Sequence, residues 1–397
     1  MPSPAPPPRL GAWRFIAVFG VVSLLMDWVY EGARSVTGPL LASLGASGAV
    51  VGVVTGAGEA AALGLRLVSG PLADRTQRFW AWTIGGYLLT AVSVPVLGLS
   101  GVLWVACALV VAERVGKAVR SPAKDTLVSH ATAVTGRGKG FAVSEALDQI
   151  GALLGPLTVA GVLALSRDDY APALGVLAAP AVAAIVLLLW LRARVREPAA
   201  YETAPSDAQA APSPPAEGRL PRAFWVYAAF TAATTAGFAT FGLVSFHLVE
   251  QDLLPTAAVP LVYAAAMVAD ALAALATGWV YDRVGPRVLA ALPVLSAATA
   301  LLAFTGSTAV AVVGALVWGC ATGIQESTLR ANVADLVPVG RRATAYGIYA
   351  GVIGGASLAG GALLGALYDV SVGLLAGVAV AIQVAALGLL AASRLRA

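Results

Sequence analysis

Gly70-Pro-Leu-Ala-Asp74-Arg75-Thr-Gln-Arg78 recurs 208 positions later as Gly278-Trp-Val-Tyr-Asp282-Arg283-Val-Gly-Pro-Arg287. Each copy lies where a long apolar run meets a short basic loop. A chain that carries the same signal in each half is built from two repeats. In a membrane protein, parallel repeats are typical of transporters whose two halves rock around a central site.

The composition excludes an ordinary soluble enzyme. Mean hydropathy is +0.83, and only 12% of residues are charged, against about 25% in soluble domains. Lys and Arg concentrate in the termini and in alternate loops, with Arg167 alone in the loops between. This bias predicts that both termini are cytoplasmic, and it explains the net charge of +4 without nucleic-acid binding. Cys107 and Cys320 lie in apolar runs and indicate no disulfide framework.

Hydropathy predicts twelve membrane spans in an all-α membrane protein, because lipid cannot satisfy the backbone of open strands. They cover residues 12–43, 48–71, 79–99, 102–129, 138–165, 171–194, 222–248, 257–281, 287–306, 308–336, 340–367 and 371–392.

The predicted domain organisation is two six-helix bundles with pseudo-symmetry, at 12–194 and 222–397. A disordered cytoplasmic tail (1–11) precedes them, and a proline-rich flexible cytoplasmic linker (195–221) joins them. The glycine pairs Gly116/Gly323 and Gly140/Gly347, each 207 residues apart, extend the repeat beyond the two loops.

The first loop resembles the motif that follows the second span in the major facilitator superfamily, Gly-x-Leu-Ala-Asp-Arg-x-Gly-Arg-Arg. Gln77 and Phe79 depart from it, and the second copy has its last arginine one position late, at Arg287. The resemblance covers nearly the whole chain and implies the fold of that family, in its twelve-span drug and metabolite:proton antiporter branch. It also implies that the loop residues form a gate that latches the outward-facing state. The matching gate residues are Gly70, Asp74, Arg75, Arg78, Gly278, Asp282 and Arg283.

A second resemblance lies in the fifth span, where Gly151, Gly155 and Pro156 match the Gly-x-x-x-Gly-Pro-x-x-Gly-Gly motif of proton-coupled exporters in this superfamily. The terminal Gly-Gly of that motif is replaced or displaced. A Gly-Pro pair kinks a helix and permits a close helix contact. The match favours efflux over import.

Each charged residue within a span raises the free energy of membrane insertion by at least ~2.5–3.5 kcal/mol. The presence of such a residue therefore indicates a structural or functional role. The first span has Asp27, Glu31 and Arg34 on one helical face, and the fourth carries a ladder of acids and bases. Asp27 is the preferred proton carrier, because the first span faces the central cavity in the family. The proton-coupling candidates are Asp27, Glu31, Glu59, Glu113 and Asp148. The candidate cavity residues are Arg34, Arg66, Arg114, Lys117, Arg120, Glu145, Gln325, Glu326 and Arg330.

Two interpretations of these charges stay open at this point. The acids and bases either pair into networks that fix helix packing, or some carboxylates lose their partner in one conformation and carry protons. Lys117 and Arg120 would also suit an anionic substrate.

The chain has no phosphate-binding Gly-x-x-x-x-Gly-Lys loop, no histidine and cysteine spacing for a metal, and no Ser/His/Asp grouping. We therefore expect no catalytic residues, no metal and no cofactor. A transporter-like sensor or an intramembrane enzyme is the alternative from another class.

The sequence thus predicts a monomeric, proton-coupled secondary transporter of the bacterial inner membrane. Its partners would be protons, the lipid bilayer and a small organic substrate, which it would export by alternating access. The alternative is symport or export of an anionic metabolite or siderophore-like compound.

Overall fold

The computed structural model describes residues 10–135, 137–201, 220–338 and 341–394. Within those ranges the side chains of a few helical residues, Asp282 and Arg330 among them, lie outside the description. The described part is helical. Its α-helices are α1 (Ala12–Ser43), α2 (Gly48–Gly64), α3 (Arg66–Thr76), α4 (Phe79–Gly98), α5 (Leu103–Thr135), α6 (Arg137–Ser166), α7 (Tyr170–Gly175), α8 (Ala178–Arg194), α9 (Arg222–Ala236), α10 (Phe241–Glu250), α11 (Val259–Val284), α12 (Ala291–Ala303), α13 (Thr308–Leu336), α14 (Arg342–Val370) and α15 (Val372–Arg394).

These helices make twelve passes through the molecule, because α2–α3, α7–α8 and α9–α10 are each one broken span. Among the described residues, ten segments are long and apolar enough to cross a membrane. The helix α5 is long but heavily charged, and residues Arg287–Ala303 form a shorter apolar helix. The predicted twelve-helix membrane fold is confirmed. We call the end where α1 begins and α15 finishes the inner end, and the opposite end the outer end.

The seventh span is interrupted between Ala236 and Phe241. A break at this depth leaves backbone groups that lipid cannot satisfy. The indole of Trp318 donates a hydrogen bond to the Ala239 carbonyl at 2.9 Å, and Thr240 caps the start of α10 through the Leu243 amide. Protein groups thus replace the lost helical bonds.

At the outer end, the two halves are in close contact along α2 and α14. A side chain at Gly361 would meet the backbone of Gly52, and a Cβ there would lie 3.1 Å from the Cα of Gly56. The carboxylate of Asp369, in the last turn of α14, accepts hydrogen bonds from the amides of Gly48 (2.7 Å) and Ala49 (2.9 Å). Those amides belong to the first turn of α2, where a helix has unpaired donors and a positive dipole end. We call these contacts the outer seam.

At the inner end, the same helix pair separates. A cavity of about 480 Å³ lies between α2–α3 and the facing parts of α13 and α14, and Leu67, Leu329 and Tyr346 are among its lining residues. The side chains of Asp74, Arg75 and Arg78 are exposed there. The molecule is therefore closed at its outer end and open at its inner end.

Part of the segment that follows α8 packs against the first bundle. Pro198–Tyr201 forms a 3₁₀ turn, and the ring of Tyr201 lies 5.6 Å from that of Phe15. Its hydroxyl donates to the Leu10 carbonyl at 2.8 Å, and burial raises the pKa of Tyr201 to about 12. Residues 202–219 of the predicted linker lie outside the described part.

Candidate transport site

Two groups of charged residues line the space between the bundles. The first is an alternating chain of ion pairs on α1, α2 and α5. Arg34 contacts Glu31 at 3.6 Å and Glu59 at 3.0 Å. Arg114 contacts Glu59 at 3.6 Å and Glu113 at 3.2 Å. We call these five residues the ion chain.

The ion chain contains three acids and two bases, so it carries one excess negative charge when all members are ionised. Glu31, at one end, accepts a hydrogen bond from the hydroxyl of Tyr263 on α11, which belongs to the other half. Glu113, at the other end, has an oxygen, Oε1, that is buried and makes no hydrogen bond within the described part of the chain. The ion chain therefore contacts the second half and ends in a carboxylate with spare hydrogen-bonding capacity.

A small cavity of about 40 Å³ extends the ion chain toward the outer end. Arg34, Glu59 and Glu113 line it, together with Thr240 at the break in the seventh span. Thr240 Oγ1 lies 2.8 Å from Thr55 Oγ1 of α2, which is a contact between the halves. Residues of the ion chain thus lie beside the outer closure.

The second group lies on α5, one to two turns nearer the inner end than Glu113 and Arg114. Lys117 Nζ donates to the hydroxyl of Tyr30 at 3.2 Å and lies 4.4 Å from the centre of its ring. Arg120 stacks on Tyr87 at 4.7 Å and donates to Thr90 at 3.3 Å. Such cation–π contacts stabilise a cation without neutralising it. We call Lys117 and Arg120 the cationic pair; within the described residues, neither has a carboxylate within 4.0 Å.

The cationic pair and two members of the ion chain, Glu31 and Arg34, border a central cavity of about 220 Å³. Charged side chains dominate its lining. The first half contributes five acids (Asp27, Glu31, Asp125, Glu145, Asp148) and five bases (Arg34, Arg66, Lys117, Arg120, Lys124), whereas the second half contributes two acids, Asp270 and Glu326.

Asp27 lies in this cavity close to the Gly-Pro motif of α6. A Cβ at Gly151 would lie 3.0 Å from the Cβ of Asp27, and one at Gly155 would lie 2.6 Å from the Gly32 amide nitrogen. Pro156 follows within the same helix. Only residues without a side chain permit this approach of α6 to α1. The glycines of the predicted kink motif thus lie directly against the helix that carries Asp27.

The structure brings most of the predicted site residues together, in two places rather than one. Asp27, Glu31, Arg34, Arg66, Lys117, Arg120, Glu145, Asp148 and Glu326 line the central cavity. Glu59, Glu113 and Arg114 line the small outer cavity, and Gln325 lines the inner cavity between α2–α3 and α14. Asp148 forms an ion pair with Lys124 at 3.5 Å.

The predicted gate residues lie at the inner end. Gly70 faces Pro122 of α5, whereas no atom lies within 4 Å of a Cβ at Gly278. Arg283 lies over the ring of Trp279. The side chains of Asp282 and Arg330 lie outside the described residues.

Asp270 is not among the candidate site residues that the sequence predicts. Its side chain lines the central cavity, it is only 5% exposed, and Oδ1 makes no hydrogen bond in the described structure. The available signal was that Asp270 is an isolated acid in the eighth span, and an acid within a membrane is a functional candidate by default.

Two facing helical bundles around a charged central cavity define a class, the multi-pass membrane transporters. Comparison with known proteins gives the family. The model of the Major Facilitator Superfamily matches residues 16–362 and 245–396. The chain belongs to the major facilitator superfamily.

Two relatives illustrate the similarity by sequence. An uncharacterized protein of Mycobacterium tuberculosis is 64% identical over 388 residues, covering 98% of this chain and 95% of the relative. An uncharacterized MFS-type transporter of Methanocaldococcus jannaschii is 29% identical over 140 residues, which is 35% of each chain.

Solved structures share the fold at low identity. The nucleoside transporter NupG superposes with a TM-score of 0.74 at 15% identity, covering 95% of this chain and 99% of that one. The peptide transporter POT in complex with sulfate superposes with a TM-score of 0.73 at 14% identity, covering 98% of this chain and 97% of that one. The family and the fold indicate a membrane transporter of small substrates.

Proposed function

We propose that this chain is a proton-coupled secondary transporter that exports small organic molecules by alternating access. The observation that carries the proposal is a central cavity whose lining is dominated by ionisable groups, in a molecule closed at the outer end and open at the inner end. The Gly-Pro motif against Asp27 supports efflux by its resemblance to exporters. The distribution of Lys and Arg supports an inner-membrane location with both ends of the chain cytoplasmic. We further propose that the transporter works as a monomer.

Asp27 is the proton carrier in this proposal. It lines the cavity, and within the described residues it has no base within 4.0 Å. Its electrostatic interactions with bases are at longer range, with Lys117, Arg120 and Lys124. A carboxylate without a fixed partner can exchange its proton without breaking the helix packing that the ion chain maintains.

Purified protein in liposomes that contain a pH-sensitive dye tests the proposal. A panel of organic cations, anions and zwitterions is loaded inside, with an acidic medium outside. Wild type should move protons inward as one compound leaves. Asp27→Asn should abolish the proton movement and retain exchange of labelled for unlabelled compound, and Asp252→Asn, at the exposed outer surface, should behave as wild type.

Two results contradict parts of this proposal. Wild-type proton movement in Asp27→Asn removes Asp27 as the carrier. Absence of flux for every compound under proton and sodium gradients overturns transport itself, and would favour a sensor.

A second candidate is proton-coupled transport of an anionic metabolite, by symport or export. It is favoured by the cationic pair, since Lys117 and Arg120 line the cavity without a carboxylate partner within 4.0 Å. Lys117→Ala and Arg120→Ala should then impair anionic compounds selectively. Equal loss for cationic and anionic compounds would indicate that the two residues act in a structural network.

A further inference from the structure

Besides Asp27, two groups of charges that line the central cavity lack an opposite charge within 4.0 Å among the described residues, and these two groups lie on different halves. The cationic pair lies on α5 of the first half. Asp270 on α11 and Glu326 on α13 belong to the second half, and we call these two residues the acidic wall. Within the described residues, neither member of the acidic wall has a base within 4.0 Å. The cavity thus has a positive region on one half and a negative region on the other.

The members of the acidic wall are neighbours. Gly323 packs against the backbone of α11 at Asp270, where a Cβ would lie 3.1 Å from the Ala274 amide nitrogen. Glu326 follows Gly323 by one turn of α13, and its charge acts on Asp270. Two carboxylates that line one cavity repel each other, so a cation between them is favoured. Asp270 also has the unused buried oxygen, which a bound ammonium group could satisfy.

The dimensions of the cavity restrict what it can hold. Its volume is about 220 Å³. Pockets for drug-sized ligands measure ~300–1,000 Å³ and are mostly apolar. A lipophilic compound would leave the charged lining desolvated without partners, which is unfavourable. The cavity therefore suits a small, hydrophilic molecule.

We propose that the transported substrate is a small zwitterion, with an acidic group at the cationic pair and a primary ammonium group at the acidic wall. This proposal rests on the transport function proposed above and specifies its substrate class. A substrate with one charge would satisfy one region and leave the other without a counter-charge. A zwitterion satisfies both, and it contacts both halves of the molecule at once, as a substrate that promotes closure around itself must do.

Ligand binding to the purified full chain in detergent tests this inference without any transport step. The probes are straight-chain ω-amino acids from glycine to 8-aminooctanoate, which sample the distance between the two regions. Each is compared with the carboxylic acid and the alkylamine of the same carbon number. Stabilisation against heat reports binding to the folded state.

At least one ω-amino acid should bind about ten-fold more tightly than both of its matched compounds. Asp270→Asn should lower the affinity for that ω-amino acid to the affinity for the matched carboxylic acid. Lys117→Gln should lower it to the affinity for the matched alkylamine. Glu326→Gln repeats the test at an exposed position of the acidic wall, should Asp270→Asn fold poorly. Asp252→Asn, the same chemical change outside the cavity, should leave all affinities unchanged.

Three outcomes overturn the inference. Equal binding of an alkylamine shows a site for a cation alone, equal binding of a carboxylic acid shows a site for an anion alone, and no response to any ω-amino acid removes the substrate class. The transport proposal fails separately: a zwitterion that binds but never crosses the membrane contradicts transport, and flux of a singly charged compound without zwitterion binding contradicts only this inference.

Discussion

The pair of helices α2–α3 and α14 differs at its two ends, and the difference explains the state of the molecule. At the outer end, glycines permit backbone contact between Gly52 and Gly361, and Asp369 caps α2 from the other half. At the inner end, larger side chains such as Leu67 and Tyr346 line a cavity, and Asp74 and Arg75 are exposed. The outer end has contacts that hold the closed arrangement, whereas the carboxylate assigned to the inner gate is solvated. Variants at each end should therefore shift the conformational equilibrium in opposite directions.

The largest effect is expected from Gly361→Leu, which places a side chain in the outer seam. Overpacking of this kind costs about 1–3 kcal/mol, or a roughly 5- to 150-fold shift toward the outward-open state. Spin labels on cysteines at Gly101 and Gly306, in outer loops of the two halves, measure the separation of the outer ends. Both positions have open space around a Cβ, and the two native cysteines, Cys107 and Cys320, are first replaced by alanine.

The matched control for that variant is Gly355→Leu on the same helix, where no atom lies within 4 Å of a Cβ. It should retain the wild-type distance distribution. A short distance that persists in Gly361→Leu would show that glycine contact is not what closes the outer end.

A smaller shift in the same direction is expected from Asp369→Asn. This change removes a negative charge from the N-terminus of α2 and weakens the hydrogen bonds to Gly48 and Ala49. Capping and dipole contributions of this kind are worth ~0.5–2 kcal/mol, so the outward-open population should rise roughly 2- to 30-fold. The same spin-label pair provides the measurement, with Asp252→Asn as the control at the outer surface. An unchanged distribution would mean that Asp369 contributes to folding but not to the choice of state.

Asp74→Asn, at the inner end, should shift the conformational equilibrium in the opposite direction, toward the inward-open state. The exposed carboxylate makes little contribution to the present arrangement, but the family resemblance assigns it to a latch of the outward-facing state. Its loss should favour the inward-open state by ~0.3–1 kcal/mol, a shift of roughly 2- to 5-fold. The Gly361→Leu background, in which the outward-open state is populated, makes the shift measurable with the same labels. A further rise of the outward-open population would contradict the latch.

The sequence predicted the fold well because the twin Asp-Arg loops mark equivalent helix ends in each half. The role of Asp369 could not be predicted, since it depends on the approach of two helix ends that are 321 residues apart in the chain. The candidate charges were predicted as one set, yet Glu59, Glu113 and Arg114 line a separate small cavity. Spacing along a helix gives the face of a residue, but not which neighbouring helix it meets. Asp270 is an isolated acid within a span, which is a signal that the sequence alone provides.

The smallest effect is expected from Ser47→Ala, which removes the other cap of α2. Ser47 accepts a hydrogen bond from the Val50 amide at 3.4 Å within its own half, so the contact is the same whether the outer end is open or closed. Its loss should lower the free energy of unfolding by ~0.5–1 kcal/mol. The outward-open population, measured with the same spin labels, should change by less than about 2-fold. Ser47 and Asp369 thus contact the same helix end and differ in which half they belong to. If Ser47→Ala opened the outer end as much as Asp369→Asn does, the closed state would depend on the integrity of α2 itself, and the contact between the halves would lose its special role.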